Sequence, residues 1–102
     1  MANLYEVGKI DEMEDGDIKC IEVEDKEIAL FKLNGEYFAI DNTCTHLGGP
    51  LCEGDIDGDR VICPWHGAEF DIRTGEVASG PAEENVDPYK IVIENDSIKI
   101  DI

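Results

Sequence analysis

The dipeptide Asn34-Gly35 lies between two apolar, β-rich runs, residues 27–33 and 36–41. Both turn positions tolerate positive φ, so the pair favours a two-residue hairpin and commits the flanking runs to antiparallel pairing. Near the C-terminus, residues 89–94 and 97–102 flank Asn95-Asp96 in the same manner. There Ile98, Ile100 and Ile102 alternate with Lys99 and Asp101, one face for a core and one for water. Residues 4–10 and 17–23 are further short β-branched runs, parted by an acidic turn over residues 11–16. No segment sustains a helical period bounded by caps. The expectation is an all-β domain, an antiparallel sandwich or barrel with hairpins at both ends.

Residues 42–81 read differently. They are rich in glycine and turns, with two short strand candidates at 60–62 and 68–72. A stretch this irregular is too long for an ordinary connection and predicts functional loops or a metal-organised subdomain. The acidic clusters at residues 11–17 and 22–27 read as solvated turns. Phe31, Tyr37 and Phe38 fall on strands as core or sheet-surface residues, and Asp41 and Asp71 suit turn caps.

Size and charge narrow the function. A chain of 102 residues is one domain, which on size scaling buries roughly 65% of its unfolded surface, with no room for a separate catalytic domain. The net charge of −17 repels nucleic acid and anionic membranes. No apolar run approaches the roughly 18 residues of a membrane span, and the first residues lack the basic start and apolar stretch of an export signal. The expected location is the cytoplasm.

Four cysteines, Cys20, Cys44, Cys52 and Cys63, form no dense framework, and in a reducing compartment such residues more often ligate metals than cross-link. Cys44-Thr45-His46 and Cys63-Pro64-Trp65-His66 contain the chain's only two histidines. Two thiolates and two imidazoles brought together from two turns suit a tetrahedral zinc ion or an iron–sulfur cluster with mixed ligands. Structural zinc sites favour wider gaps within each pair than the one-residue gap of Cys44 and His46. Cys20 and Cys52 match neither motif and are read as free thiols, with Cys20 on a strand.

Cys44-Thr45-His46-Leu47-Gly48-Gly49 with Cys63-Pro64-Trp65-His66-Gly67 resembles the two cluster-binding loops of Rieske [2Fe–2S] proteins. The resemblance implies a single Rieske domain over residues 1–102, a small β-sandwich or barrel with an inserted cluster-binding subdomain whose loops span about 42–82. It implies that Cys44 and Cys63 share one iron and His46 and His66 the other. Gly80-Pro81-Ala82 falls where the family has a third, proline-containing loop over the cluster. Glycines at Gly48, Gly49 and Gly67 would admit backbone N–H groups to the sulfides, and Trp65 would shield the cluster beside His66.

Respiratory members of the family carry an extra cysteine in each loop, joined as a disulfide. The matching positions here are Gly49 and Trp65, so that bridge is absent. Those members also carry a serine and a tyrosine that donate hydrogen bonds to the cluster, where this chain has Ala68 and Phe70. A hydrogen bond to a charged acceptor is worth about 1.5–3 kcal/mol, so losing two of them predicts a potential toward the low end of the Rieske range, roughly −150 mV. The resemblance is thus to soluble Rieske-type ferredoxins that feed oxygenases. It implies a one-electron carrier, monomeric when free, between a flavin-dependent reductase and a terminal oxygenase or other redox enzyme, and no enzymatic activity of its own. Its acidity would steer it toward basic patches on partners. The alternatives are the small subunit of an assimilatory nitrite reductase and, from another class, a zinc-stabilised binding module.

Overall fold

The structure is a computed structural model that describes residues 4–43, 49–65, 67–80 and 84–102. Strand β1 (Leu4–Lys9) runs into a 3-10 turn at Ile10–Glu12, and β2 (Ile18–Val23), β3 (Lys26–Leu33) and β4 (Glu36–Asp41) follow as a meander. A second 3-10 turn, Leu51–Glu53, precedes four short strands: β5 (Asp55–Asp57), β6 (Arg60–Ile62), β7 (Glu69–Asp71) and β8 (Val77–Ser79). Strands β9 (Pro88–Glu94) and β10 (Ser97–Asp101) make the last hairpin. Among the described residues no helix is long and apolar enough to cross a membrane.

The expected strands are present with ends shifted by a residue or two. Two strands, β5 and β8, and both 3-10 turns carry no expectation from the sequence. At three residues each, β5 and β8 are too short to display a period of two convincingly.

Six strands pair antiparallel in the order β1-β10-β9-β4-β3-β2, and β5-β6-β7-β8 form a separate four-stranded sheet. Two-residue turns drive the larger sheet. Asn34 and Gly35 have φ of 52° and 81°, and Asn95 and Asp96 have 49° and 68°. The β2–β3 turn uses the same left-handed geometry at Glu24 and Asp25, with φ of 50° and 67°. Glutamate enters that region only at a cost, so this third hairpin lacks the usual Asn-Gly mark. The sheet curls into a partly closed barrel whose edge strands β1 and β2 do not pair, and side chains bridge the seam. Lys19 Nζ donates to the Val7 carbonyl at 3.4 Å, and the Tyr5 hydroxyl bonds to the Glu24 carboxylate, which raises the tyrosine pKa.

Strand β3 organises the interior. Its run Ile28-Ala29-Leu30-Phe31 is completely buried, as expected of a strand covered on both faces. Ile28 and Leu30 point into the barrel, where they meet Ala39, Ile98 and Ile100. Ala29, Phe31 and Leu33 point the opposite way and form a second core with Leu51, Val61, Phe70 and Ile72. The four-stranded sheet therefore lies on the outside of the barrel wall. Full burial of side chains of this size contributes about 1.5–3 kcal/mol each. Arg73 adds a polar tie across the boundary: its guanidinium stacks 4.8 Å from the Phe38 ring centre and pairs with Glu36 at 3.7 Å and Asp59 at 3.8 Å.

Candidate metal centre

Each candidate ligand loop leaves the scaffold from a pinched base. The first begins after β4, where Thr43 and Pro50 pair antiparallel and bring the outgoing and returning chain together. Asn42 is the clamp at this base and is 7% exposed. Its carbonyl accepts from the Leu51 N–H at 2.8 Å, and its N–H donates to the Glu27 carbonyl at 2.9 Å. Its side-chain oxygen accepts from the Cys52 N–H at 2.7 Å. A buried amide so fully used holds the loop root against β3.

The second loop tops the β6–β7 hairpin. Ile62 pairs with Glu69, and one step on, the Cys63 N–H donates to the Ala68 carbonyl at 2.7 Å. Cys63 and Ala68 are 1% and 0% exposed and belong to the second core. The β-hairpin thus sets Cys63 at the boundary between packed interior and loop.

Gly49 shows that the loops meet. A Cβ at that position would lie 2.8 Å from Cys63 Sγ, nearer than real Cβ atoms come, and 3.0 Å from Trp65 Cγ, a tight contact. Only glycine lets the end of the first loop touch the sulfur and indole of the second. Trp65 is 49% exposed, so it is no core residue; it covers the contact from the solvent side. Gly49 and Trp65 are the positions at which respiratory Rieske proteins would carry a disulfide, and here they are joined by packing.

Of the ligand candidates, Cys63 is described. Cys44, His46 and His66 lie outside the described residues, as do Gly48 and the Pro81-Ala82 part of the third loop. A buried thiol at the root of one loop, in contact with the end of another that begins Cys44-Thr45-His46, fits a sulfur-ligated metal group held between them. Ala68 and Phe70, both fully buried, line this side without offering a hydroxyl.

The expectation for the other two cysteines is corrected. Cys20 and Cys52 form a disulfide, with Cα atoms 5.2 Å apart and the two residues 32 positions apart in sequence. Strand β2 brings Cys20 beside the Leu51–Glu53 turn, a proximity created by the fold and carried by no local motif. The remaining even pair of cysteines is the only trace the sequence offers.

The turn caps behave as expected. Asp71 Oδ1 accepts from the Arg73 N–H at 2.7 Å and the Thr74 N–H at 3.2 Å. Burial raises the Asp41 pKa and Asp87 raises it further, opposed by backbone hydrogen bonds from Thr43 and Asn42. Burial, then Asp41 and Asp87, likewise raise the Tyr89 pKa. The flank of the first loop gathers Glu22, Asp25, Glu27, Asp41 and Asp87 around Lys26.

Residues 3–90 match the Rieske [2Fe-2S] domain family. The ferredoxin component of the naphthalene 1,2-dioxygenase system of Pseudomonas putida is 38% identical over 88 residues, covering 86% of this chain and 85% of that protein. Among solved structures, a complex of reduced oxygenase and oxidized ferredoxin in carbazole 1,9a-dioxygenase matches with a TM-score of 0.91 and 27% identity, covering 96% of this chain and 92% of the other. A putative NADH-dependent nitrite reductase small subunit from Mycobacterium tuberculosis matches with a TM-score of 0.90 at 18% identity, covering 100% and 96%, a likeness of fold alone. The chain belongs to the Rieske [2Fe–2S] domain family. It is a Rieske-type ferredoxin, an electron-transfer protein whose cofactor is a [2Fe–2S] cluster.

Proposed function

We propose that Cys44 and Cys63 hold one iron of the cluster and His46 and His66 the other, within a single Rieske domain over residues 1–102. In this reading the protein is a monomeric cytoplasmic carrier that takes one electron from a flavin-dependent reductase and passes it to a terminal oxygenase. The observation that carries it is the contact of Gly49 with Cys63 Sγ, which seats a buried sulfur of one motif against the end of the other.

When bound, the cluster supplies a one-electron couple. The chain's part is to hold it, to keep water from it and to present it. Cys63 is fixed from behind by its hydrogen bond to Ala68 and by the second core. Ala68 and Phe70 keep this side dry and donate no hydroxyl hydrogen bond, which favours a potential near the low end of the range, roughly −150 mV. Trp65 covers the loop contact and offers a partner an apolar surface. A net charge of −17 favours docking on basic patches, attraction that salt screens beyond about 10 Å at 0.1 M.

Electron paramagnetic resonance of the dithionite-reduced protein, with iron, zinc and sulfide analysis, tests the ligand set. The expected result is two irons and two sulfides per chain, no zinc, and a signal characteristic of histidine-ligated [2Fe–2S]. Replacing His46→Cys or His66→Cys should then lower the potential or lose the cluster; an unchanged signal and potential remove that histidine from the set. Electron delivery to a purified oxygenase should slow as ionic strength rises, and a salt-independent rate overturns electrostatic docking.

A further inference from the structure

The Cys20–Cys52 disulfide sits where it can act on the first ligand loop. Cys52 lies two residues beyond Pro50, which closes that loop by pairing with Thr43. Its sulfur is bonded to Cys20, and its N–H is bonded to Asn42, the residue that clamps the loop base. Cys52 thus adds two ties at the returning end, a covalent one to β2 and a hydrogen-bonded one to Asn42, beside the Thr43–Pro50 pairing and the buried Leu51. The bridge encloses residues 20–52, which include β3, β4 and the whole of the first motif.

The bridge is also open to attack. Cys20 is exposed and Cys52 half-buried, and β2 is an edge strand of the larger sheet. A cleft of about 190 Å³ lined by Cys20, Ile21, Glu22, Glu27 and Asn42 brings solvent to both the sulfur and the clamp. Exposed disulfides are more readily exchanged than buried ones, and a reducing cytoplasm opposes any bridge it can reach. Glu22 and Glu27, paired across β2 and β3, border this approach. Their carboxylates disfavour anionic thiols such as glutathione and favour a neutral or cationic dithiol.

We propose that Cys20–Cys52 is a redox-responsive clip on the ligand loop, closed by oxidation and opened by a dithiol reductant. One thiolate of the dithiol attacks the exposed Cys20 sulfur, the Cys20–Cys52 bond breaks, and Cys52 leaves as a thiolate that takes up a proton. The second thiol then attacks the mixed disulfide and releases Cys20, which is protonated in turn. Two electrons and two protons pass from the dithiol, which becomes a disulfide. With the clip open the covalent tie is gone, the Asn42 hydrogen bonds, the Thr43–Pro50 pairing and the buried Leu51 remain, and the loop root opens more often. This rests on the proposed ligand set for its link to the cluster.

The test uses the cluster-loaded protein, its loading confirmed first by absorbance and iron content. The protein is equilibrated in dithiothreitol buffers poised across the cytosolic glutathione range, thiols are trapped by alkylation, and each state is weighed by mass spectrometry. Cys20 and Cys52 should become reduced within that range. Amide exchange over residues 42–54 and cluster release to an iron chelator should both accelerate, about tenfold, with β9 and β10 unaffected. The double variant Cys20→Ser with Cys52→Ser should match the reduced protein; if it fails to fold, the reduced natural chain supplies the same comparison. A bridge that stays closed throughout, two trapped thiols in the oxidised protein, or unchanged exchange and release after reduction would each overturn the clip. A colourless protein would instead overturn the ligand set, and exchange over 42–54 would still decide the clip.

Discussion

The barrel and the sheet that carries the second candidate ligand loop reach order by different routes. In the barrel, β2, β3 and β4 are joined by two-residue turns, β9 and β10 by a third, and Ile28, Leu30, Ile98 and Ile100 pack inside. Its strands run five to eight residues, long enough for alternation to select a face. In the smaller sheet every strand is three residues long. Val61 and Phe70 from this sheet, with Ile72 just past β7, are buried against Phe31, Leu33 and Ile40 on the back of the barrel. Strands so short have no independent stability. The first region builds its own core; the second is given one, and gains whatever stability metal binding adds.

The largest expected effect is on the second region alone. Cys63→Ser should abolish cluster binding, seen as loss of visible absorbance and iron. Amide exchange at Val61 and Phe70 should then accelerate by about two orders of magnitude while β3 and β10 keep their protection. Equal loss of protection in both regions would break the distinction. Ile100→Ala probes the other side. It empties part of the barrel core and should cost about 2–5 kcal/mol in denaturant unfolding, with the reduction potential unchanged. A shifted potential would mean that the two interiors are coupled more tightly than their separate packing implies. The smallest effect is expected at the seam between loops. Gly49→Ala forces a methyl group against Cys63 Sγ and the Trp65 indole, at about 1–3 kcal/mol. Cluster release to a chelator should quicken several-fold with little change in the barrel; an unaltered release rate would deny the contact its role.

The same division explains what the sequence discloses. Asn34-Gly35, Asn95-Asp96 and the alternation of Ile98 and Ile100 each express local geometry, so the barrel hairpins are readable in the residues themselves. The β2–β3 turn is harder to see because Glu24 and Asp25 adopt a left-handed geometry that tertiary pairing imposes on them. Strands β5 and β8 are hidden for a related reason. Their pairing partners and the barrel wall make them strands, and three residues carry too little pattern to reveal it. The ligand candidates are legible because metal chemistry demands rare residue types at tight spacing, and Cys44, His46, Cys63 and His66 satisfy that demand. Cys20 and Cys52 satisfy no such rule. Their union depends on how β2 and the turn after Pro50 converge, information distributed over the whole fold.

Strand β3 offers two sets of controls on one ribbon. Ile28 and Leu30 answer to the barrel, while Ala29, Phe31 and Leu33 answer to the seat of Cys63. An engineer seeking a hardier ferredoxin would edit the even-numbered positions, and one seeking to retune the redox centre from behind would edit the odd. Neighbouring positions on one strand thus face separate interiors, so a change at one can alter barrel packing while a change beside it alters the support behind Cys63.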